Sequence, residues 1–131
     1  MGFLLHELIP LNLGKQHPSQ WQICEERNDK DLLCLADDKF SVEIKTSSHK
    51  DQIFGNRSYA QKGATEGKAK SGYYLMINFG KFAEEGRPEI IRIRFGYVDH
   101  SDWIGQASQT GQQSRLKPEV YTLKTKILYP T

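Results

Sequence analysis

Phe40-Ser41-Val42-Glu43-Ile44-Lys45-Thr46-Ser47-Ser48 alternates apolar and polar side chains, the period-2 signature of a strand with one buried face. Phe40, Val42 and Ile44 form the apolar set; Ser41, Glu43 and Lys45 form the other. The alternation puts an acid and a base on one side of the strand, roughly 7 Å apart along the chain. Such a pair is either a plain ion pair or two parts of a metal-dependent phosphodiesterase site, and the surrounding chain bears on the choice.

Immediately before it, Asp31-Leu32-Leu33-Cys34-Leu35-Ala36 is a nearly continuous apolar run, as expected of a strand buried on both faces. Asp37-Asp38-Lys39 is a compact polar turn, so the two runs predict a β-hairpin. Pairing Ala36 with Phe40 puts Asp31 opposite Lys45 and on the same face as Glu43. A one-residue slip would send Asp31 to the other face and leave Asp29 as the alternative acid.

Further out, Tyr73–Phe79 and Glu89–Val98 predict two more strands, and Val120–Tyr129 alternates as a final one. Arg92 and Arg94 oppose the apolar side of the Glu89–Val98 strand, where they flank a phosphate or face water. Met1–Leu13 is dense enough in apolar residues for a buried helix that Pro10 ends or kinks. Asp99–Gln106 predicts one or two helical turns, and Gln61–Gly72 and Ser108–Ser114 predict loops. The expected fold is α+β (mixed α/β): one domain over 1–131, with a four- to five-stranded mixed sheet and flanking helices.

A chain of 131 residues has room for one core. No apolar run reaches the roughly 20 residues of a membrane span, and the N-terminal stretch lacks the basic front and cleavage site of a signal peptide. These features point to an intracellular, cytoplasmic protein with no membrane partner. Two cysteines, Cys24 and Cys34, make no disulfide framework and read as buried free thiols. Net charge is +2, but unevenly spread: residues 1–44 carry four basic and eight acidic side chains, residues 45–94 ten and five. An acidic cluster that gives way to a basic stretch suits a metal site beside a phosphate-binding surface.

Phosphodiester hydrolysis needs a divalent cation, and magnesium takes oxygen ligands while keeping several waters, so one or two carboxylates suffice. Asp31 and Glu43 supply them if the hairpin register holds, and the Ile44 carbonyl offers a third oxygen. Lys45 then stands where an ammonium can orient the attacking water and stabilise charge on the phosphate.

Asp31 followed by Glu43-Ile44-Lys45 on the next strand resembles the PD-(D/E)XK nuclease signature. The continuation through Thr46-Ser47-Ser48 and Gln52-Ile53-Phe54-Gly55-Asn56-Arg57-Ser58-Tyr59-Ala60-Gln61 resembles type II restriction endonucleases of the ScaI-like group. Lys30 stands where the signature has proline. The resemblance implies a restriction-endonuclease-like core, Mg2+-dependent cleavage of double-stranded DNA with Mn2+ as a substitute, a homodimer, and no small-molecule substrate. It also suggests Glu7, on the first helix, as a further acid near the metal.

DNA contacts are expected from the polar residues around and after the catalytic strand: Ser47, Ser48, Asn56, Arg57, Gln61, Lys62, Lys68 and Lys70. A second group, Gln109, Gln112, Gln113 and Arg115, has the chemistry of base edges, since Gln pairs with adenine and Arg with guanine.

Overall fold

The computed structural model describes residues 2–23, 30–56, 59, 71–80, 89–105, 111 and 113–131. A six-stranded mixed sheet has the order β1-β2-β3-β5-β6-β9: β1 Trp21–Ile23, β2 Leu32–Cys34, β3 Val42–Ser47, β5 Gly72–Gly80, β6 Glu89–Val98 and β9 Thr125–Tyr129. A three-stranded sheet has the order β4-β8-β7: β4 Phe54–Asn56, β7 Trp103–Gly105 and β8 Gln113–Leu116. Helix α1 spans Gly2–Gln16 and α2 spans Pro118–Leu123. The expected α+β class with a mixed sheet holds; the large sheet has six strands rather than four or five, and the second sheet was not expected.

Strand β3 lies between β2 and β5, antiparallel to the first and parallel to the second. Both of its faces are covered: Val42 and Ile44 are buried on one side, Glu43 on the other. Pairing of Glu43 with Tyr74, Lys45 with Met76, and Met76 with Arg94 puts all five side chains on one face of the sheet. Tyr74 and Met76 belong to a core with Ile53, Tyr59, Val98, Trp103, Leu116 and Val120, so the small sheet and α2 close over that face.

The β2–β3 hairpin departs from the expected register. Leu32 pairs with Val42, which continues to Asp31 opposite Glu43, a displacement of two residues. The cause is the turn: Asp38–Phe40 form a single 3-10 turn, capped by the Asp37 carboxylate accepting the Lys39 N–H at 3.1 Å. An even displacement keeps every side chain on its own face, so Asp31 still faces with Glu43. β2 is also shorter than expected, and among its residues only Leu32 is buried.

Three other expectations are corrected. Helix α1 runs through Pro10 to Gln16; Pro10 is buried, while Leu4, Leu8 and Leu11 form an exposed stripe, so the helix is not a buried one. Val120 belongs to α2, which Pro118 opens at a first-turn position where a missing N–H costs nothing. The Asp99–Gln106 segment contains one 3-10 turn, His100–Asp102, and then strand β7 rather than further helix. Cys34 is a half-buried free thiol, and Cys24 lies outside the described residues.

Candidate active site

The short β2–β3 ladder is completed by side chains. At one end Cys34 donates its N–H to Ser41 Oγ at 2.9 Å; at the other Ile44 donates its N–H to Asp31 Oδ2 at 2.8 Å. Asp31 is therefore fixed to β3 beside Glu43, with carboxylate oxygens of the two within 4.8 Å. A third group arrives from α1: His6 Nε2 lies 3.1 Å from Asp31 Oδ1. Ligand atoms of His6, Asp31 and Glu43 all fall within 4.8 Å of one another.

Glu43 is 3% exposed, which removes the reading of Glu43 and Lys45 as a solvated surface pair. Burial raises the affinity of Asp31 for its proton, but the bonds from His6, Glu43 and the Ile44 N–H outweigh it and hold the carboxyl down at about 2. The same bond to Asp31 raises His6 above its ordinary 6.5, against the opposing effect of burial. Two carboxylates this close repel each other when both are ionised. A divalent cation in that place would let both ionise, so the donor set fits one, with two carboxylates for a hard ion and an imidazole beside them.

Lys45 lies on the same face, its Nζ 4.1 Å from the centre of the Tyr59 ring. An ammonium over an aromatic face is attracted by the ring quadrupole. Tyr59 is itself pinned: its ring stacks on Trp103 at 5.0 Å, and a Cβ at Gly55 would collide with its Cδ2. Burial, and then the nearby Glu43 and Asp31 charges, push the Tyr59 hydroxyl well above its ordinary range, so it stays protonated.

A family model for the ScaI restriction endonuclease matches residues 1–129. The chain belongs to the ScaI restriction endonuclease family. The Type II restriction enzyme ScaI of Streptomyces caespitosus is 55% identical over 119 residues, which are 88% of this chain and 52% of that relative. The chain thus spans about half the length of the curated relative it matches. No solved structure matches it. The resemblance read from Glu43 to Gln61 is borne out as a statement of family.

Within this ScaI-family chain, the structure brings Asp31, Glu43 and Lys45 to one place. Ile44, whose N–H holds Asp31, directs its own carbonyl to the same edge of β3, as the two groups of a strand residue do. Glu7 is exposed on α1 and lies outside the His6–Asp31–Glu43 group; its neighbour His6 is the helix residue that reaches the acids. His6 lacks any signal in the sequence pattern, since the apolar stripe of α1 points the other way. Tyr59 was legible only as an apolar anchor.

Asn56, Gln113 and Arg115 come from two separate stretches and meet on the small sheet. Asn56 pairs with Gln113 and Phe54 with Arg115. The inward side of this sheet is Gly55, Ser114 and Leu116; Asn56, Gln113 and Arg115 are exposed on the outward side. Ser48 is exposed after β3, while Ser47 is buried and its Oγ accepts the His49 N–H at 3.1 Å. Asp29, Arg57, Gln61, Lys62, Lys68, Lys70, Gln109 and Gln112 lie outside the described residues. Among the described residues no helix is long and apolar enough to cross a membrane.

Proposed function

We propose that the protein is a Mg2+-dependent, sequence-specific DNA endonuclease of PD-(D/E)XK type, with residues 1–131 as one nuclease domain. The observation that carries this reading is the grouping of the Asp31 carboxyl group within 4.8 Å of that of Glu43, on the strand that bears Lys45, in a chain of the ScaI family.

Asp31 and Glu43 would hold the cation, with the Ile44 carbonyl as a further oxygen; Mn2+ would serve in its place. When bound, such an ion neutralises phosphate charge and makes a water easier to deprotonate. The protein's own contributions are distinct. The Ile44 N–H and His6 fix Asp31, so its carboxylate is aimed before substrate arrives. The Lys45 ammonium, steadied by the Tyr59 ring, donates to the attacking water or to the phosphate oxygen on which charge develops. Burial of Glu43 excludes bulk water from the acid pair and strengthens these interactions.

Asn56 and Gln113, side by side on the outward face of the small sheet, present the amide groups that read adenine. Ser48, Arg57, Gln61, Lys62, Lys68 and Lys70, with Gln109 and Gln112, complete the proposed DNA contacts, and Ser47 shapes the turn that leads to them. Cutting both strands takes two such sites, which a pair of copies supplies. The test is incubation of varied duplex DNA with the protein in Mg2+. Discrete fragments that disappear in Glu43→Gln and in chelator support the proposal, and metal-independent cleavage overturns it.

A further inference from the structure

Three arginines converge on a hollow separate from the acid pair. The cavity, about 250 Å3, is lined by Arg92 and Arg94 of β6, Arg115 of β8, Tyr121 of α2, and Asp51 and Gln52 before β4. That volume is many times what one water needs, and it admits a phosphate group.

Arg94 is 5% exposed. Its Nη1 donates to the Asp51 carbonyl at 3.0 Å and to Asn78 Oδ1 at 3.2 Å, and its guanidinium carbon lies 4.7 Å from the centre of the Tyr121 ring. Its hydrogen-bond and ring partners are neutral, and the charge that offsets its burial comes from the Asp51 carboxylate of the same hollow. One acid, Asp51, faces the three guanidiniums, and His49 Nδ1 beside it accepts the Asp51 and Gln52 N–H groups, so the lining keeps a net positive charge. Among the described residues, Arg92, Arg94 and Arg115 form no ion pair with a carboxylate. A purely structural Arg94 would fasten the 49–52 segment to the sheet, as Asn78 already does by donating to the His49 and Gln52 carbonyls. That role explains Nη1 of Arg94 but not two further guanidiniums at the same hollow.

Placement adds the ligand's source. Lys45, Met76 and Arg94 form one cross-strand row, so Arg94 lies two strand spacings, about 10 Å, from Lys45 on the same sheet face. B-DNA advances about 3.4 Å per nucleotide, so this offset corresponds to a few nucleotides. Guanidinium forks match phosphate oxygens bidentately.

We infer that Arg92, Arg94 and Arg115 form a pocket for one backbone phosphate of the DNA, a few nucleotides from the cleaved bond. The inference rests on the nuclease reading, and it assigns Arg115 to a phosphate rather than to a base edge. The test uses Arg92→Ala/Arg115→Ala, which leaves the Arg94 anchor in place, and Arg92→Lys/Arg115→Lys, which keeps the charge. Duplex binding is measured against NaCl concentration in chelator, and thermal melting against inorganic phosphate. The alanine pair is expected to weaken duplex binding about tenfold and to lower the salt slope by about 0.9. Phosphate should raise the melting temperature of the wild type but not of the alanine pair, and the lysine pair should recover the slope. An unchanged slope and phosphate response, in a protein that binds duplex, would overturn the pocket and leave the nuclease reading intact. Phosphate protection that needs these arginines, in a wild type that binds no duplex, would overturn the backbone assignment.

Discussion

The Asp31 carboxylate accepts the Ile44 N–H at 2.8 Å, so a side chain completes the β2–β3 ladder where the backbone of β2 has ended. One carboxylate therefore serves the fold and the candidate metal site together, and substitutions should separate the two roles. Asp31→Ala leaves the Ile44 N–H without this acceptor and should cost about 1–3 kcal/mol in urea unfolding. Asp31→Asn keeps an oxygen for that N–H and should retain most of the stability while abolishing metal-dependent cleavage. Equal losses of stability in the two variants would count against this division.

The Asp31–His6 pair should make stability depend on pH in the metal-free protein. Asp31 is held at about 2 against an ordinary 3.8, so its contribution is complete above the ordinary value and is lost as pH falls towards 2. His6 is raised above 6.5, so its contribution is complete below 6.5 and is lost as pH rises through the raised value. The pair thus contributes most between roughly pH 4 and 6.5. Urea midpoints of the wild type and His6→Gln should differ most in that window and converge at higher pH. A difference that grows above neutrality would have the wrong sign.

Gly55 should matter for Lys45, although the two never touch in sequence or in function. A methyl group at Gly55 would meet the Tyr59 ring, and Tyr59 is the surface on which the Lys45 ammonium rests. Gly55→Ala is expected to lower the cleavage rate at saturating DNA about tenfold or more, with duplex affinity little changed. Tyr59→Phe keeps the ring and should be close to wild type; a Tyr59→Phe as slow as Gly55→Ala would mean that the hydroxyl, not the ring, is what counts.

How much of this was legible in the sequence follows the length of the elements. Phe40–Ser48, Tyr73–Phe79 and Glu89–Val98 are long alternating runs that contain the central strands carrying Glu43, Lys45 and Arg94, although the first strand begins only at Val42 and leaves Phe40 exposed in the turn. Asp31 was placed on the correct face through a register wrong by two, because the Asp38–Phe40 turn consumes residues the pattern assigned to pairing. The small sheet escaped because its strands are three or four residues long, below the length at which alternation is informative. His6, and the burial of Arg94, escaped for a different reason. Each is a polar residue placed by tertiary contacts, half-buried His6 by Asp31 and buried Arg94 by Asp51 and Asn78, and no local pattern encodes those partners.

Cation binding should be visible without catalysis. Glu43→Gln replaces one of two adjoining carboxyl groups by an amide that can donate to Asp31, so the metal-free variant should melt at or above the wild-type temperature. Millimolar Mn2+ should raise the melting temperature of the wild type, as any ligand of the native state does, and leave Glu43→Gln unmoved. Equal protection of both proteins would place the ion elsewhere.

The most direct test of the central claim, that Asp31, Glu43 and Lys45 form a metal-dependent DNA-cleaving site, is a digestion of long duplex DNA by the wild type and by Glu43→Gln in Mg2+. The expected result is a reproducible set of discrete fragments from the wild type, none in chelator, and none from Glu43→Gln at equal concentration. Fragments that persist from Glu43→Gln, or duplex binding by the wild type with no Mg2+-dependent cleavage, would contradict it.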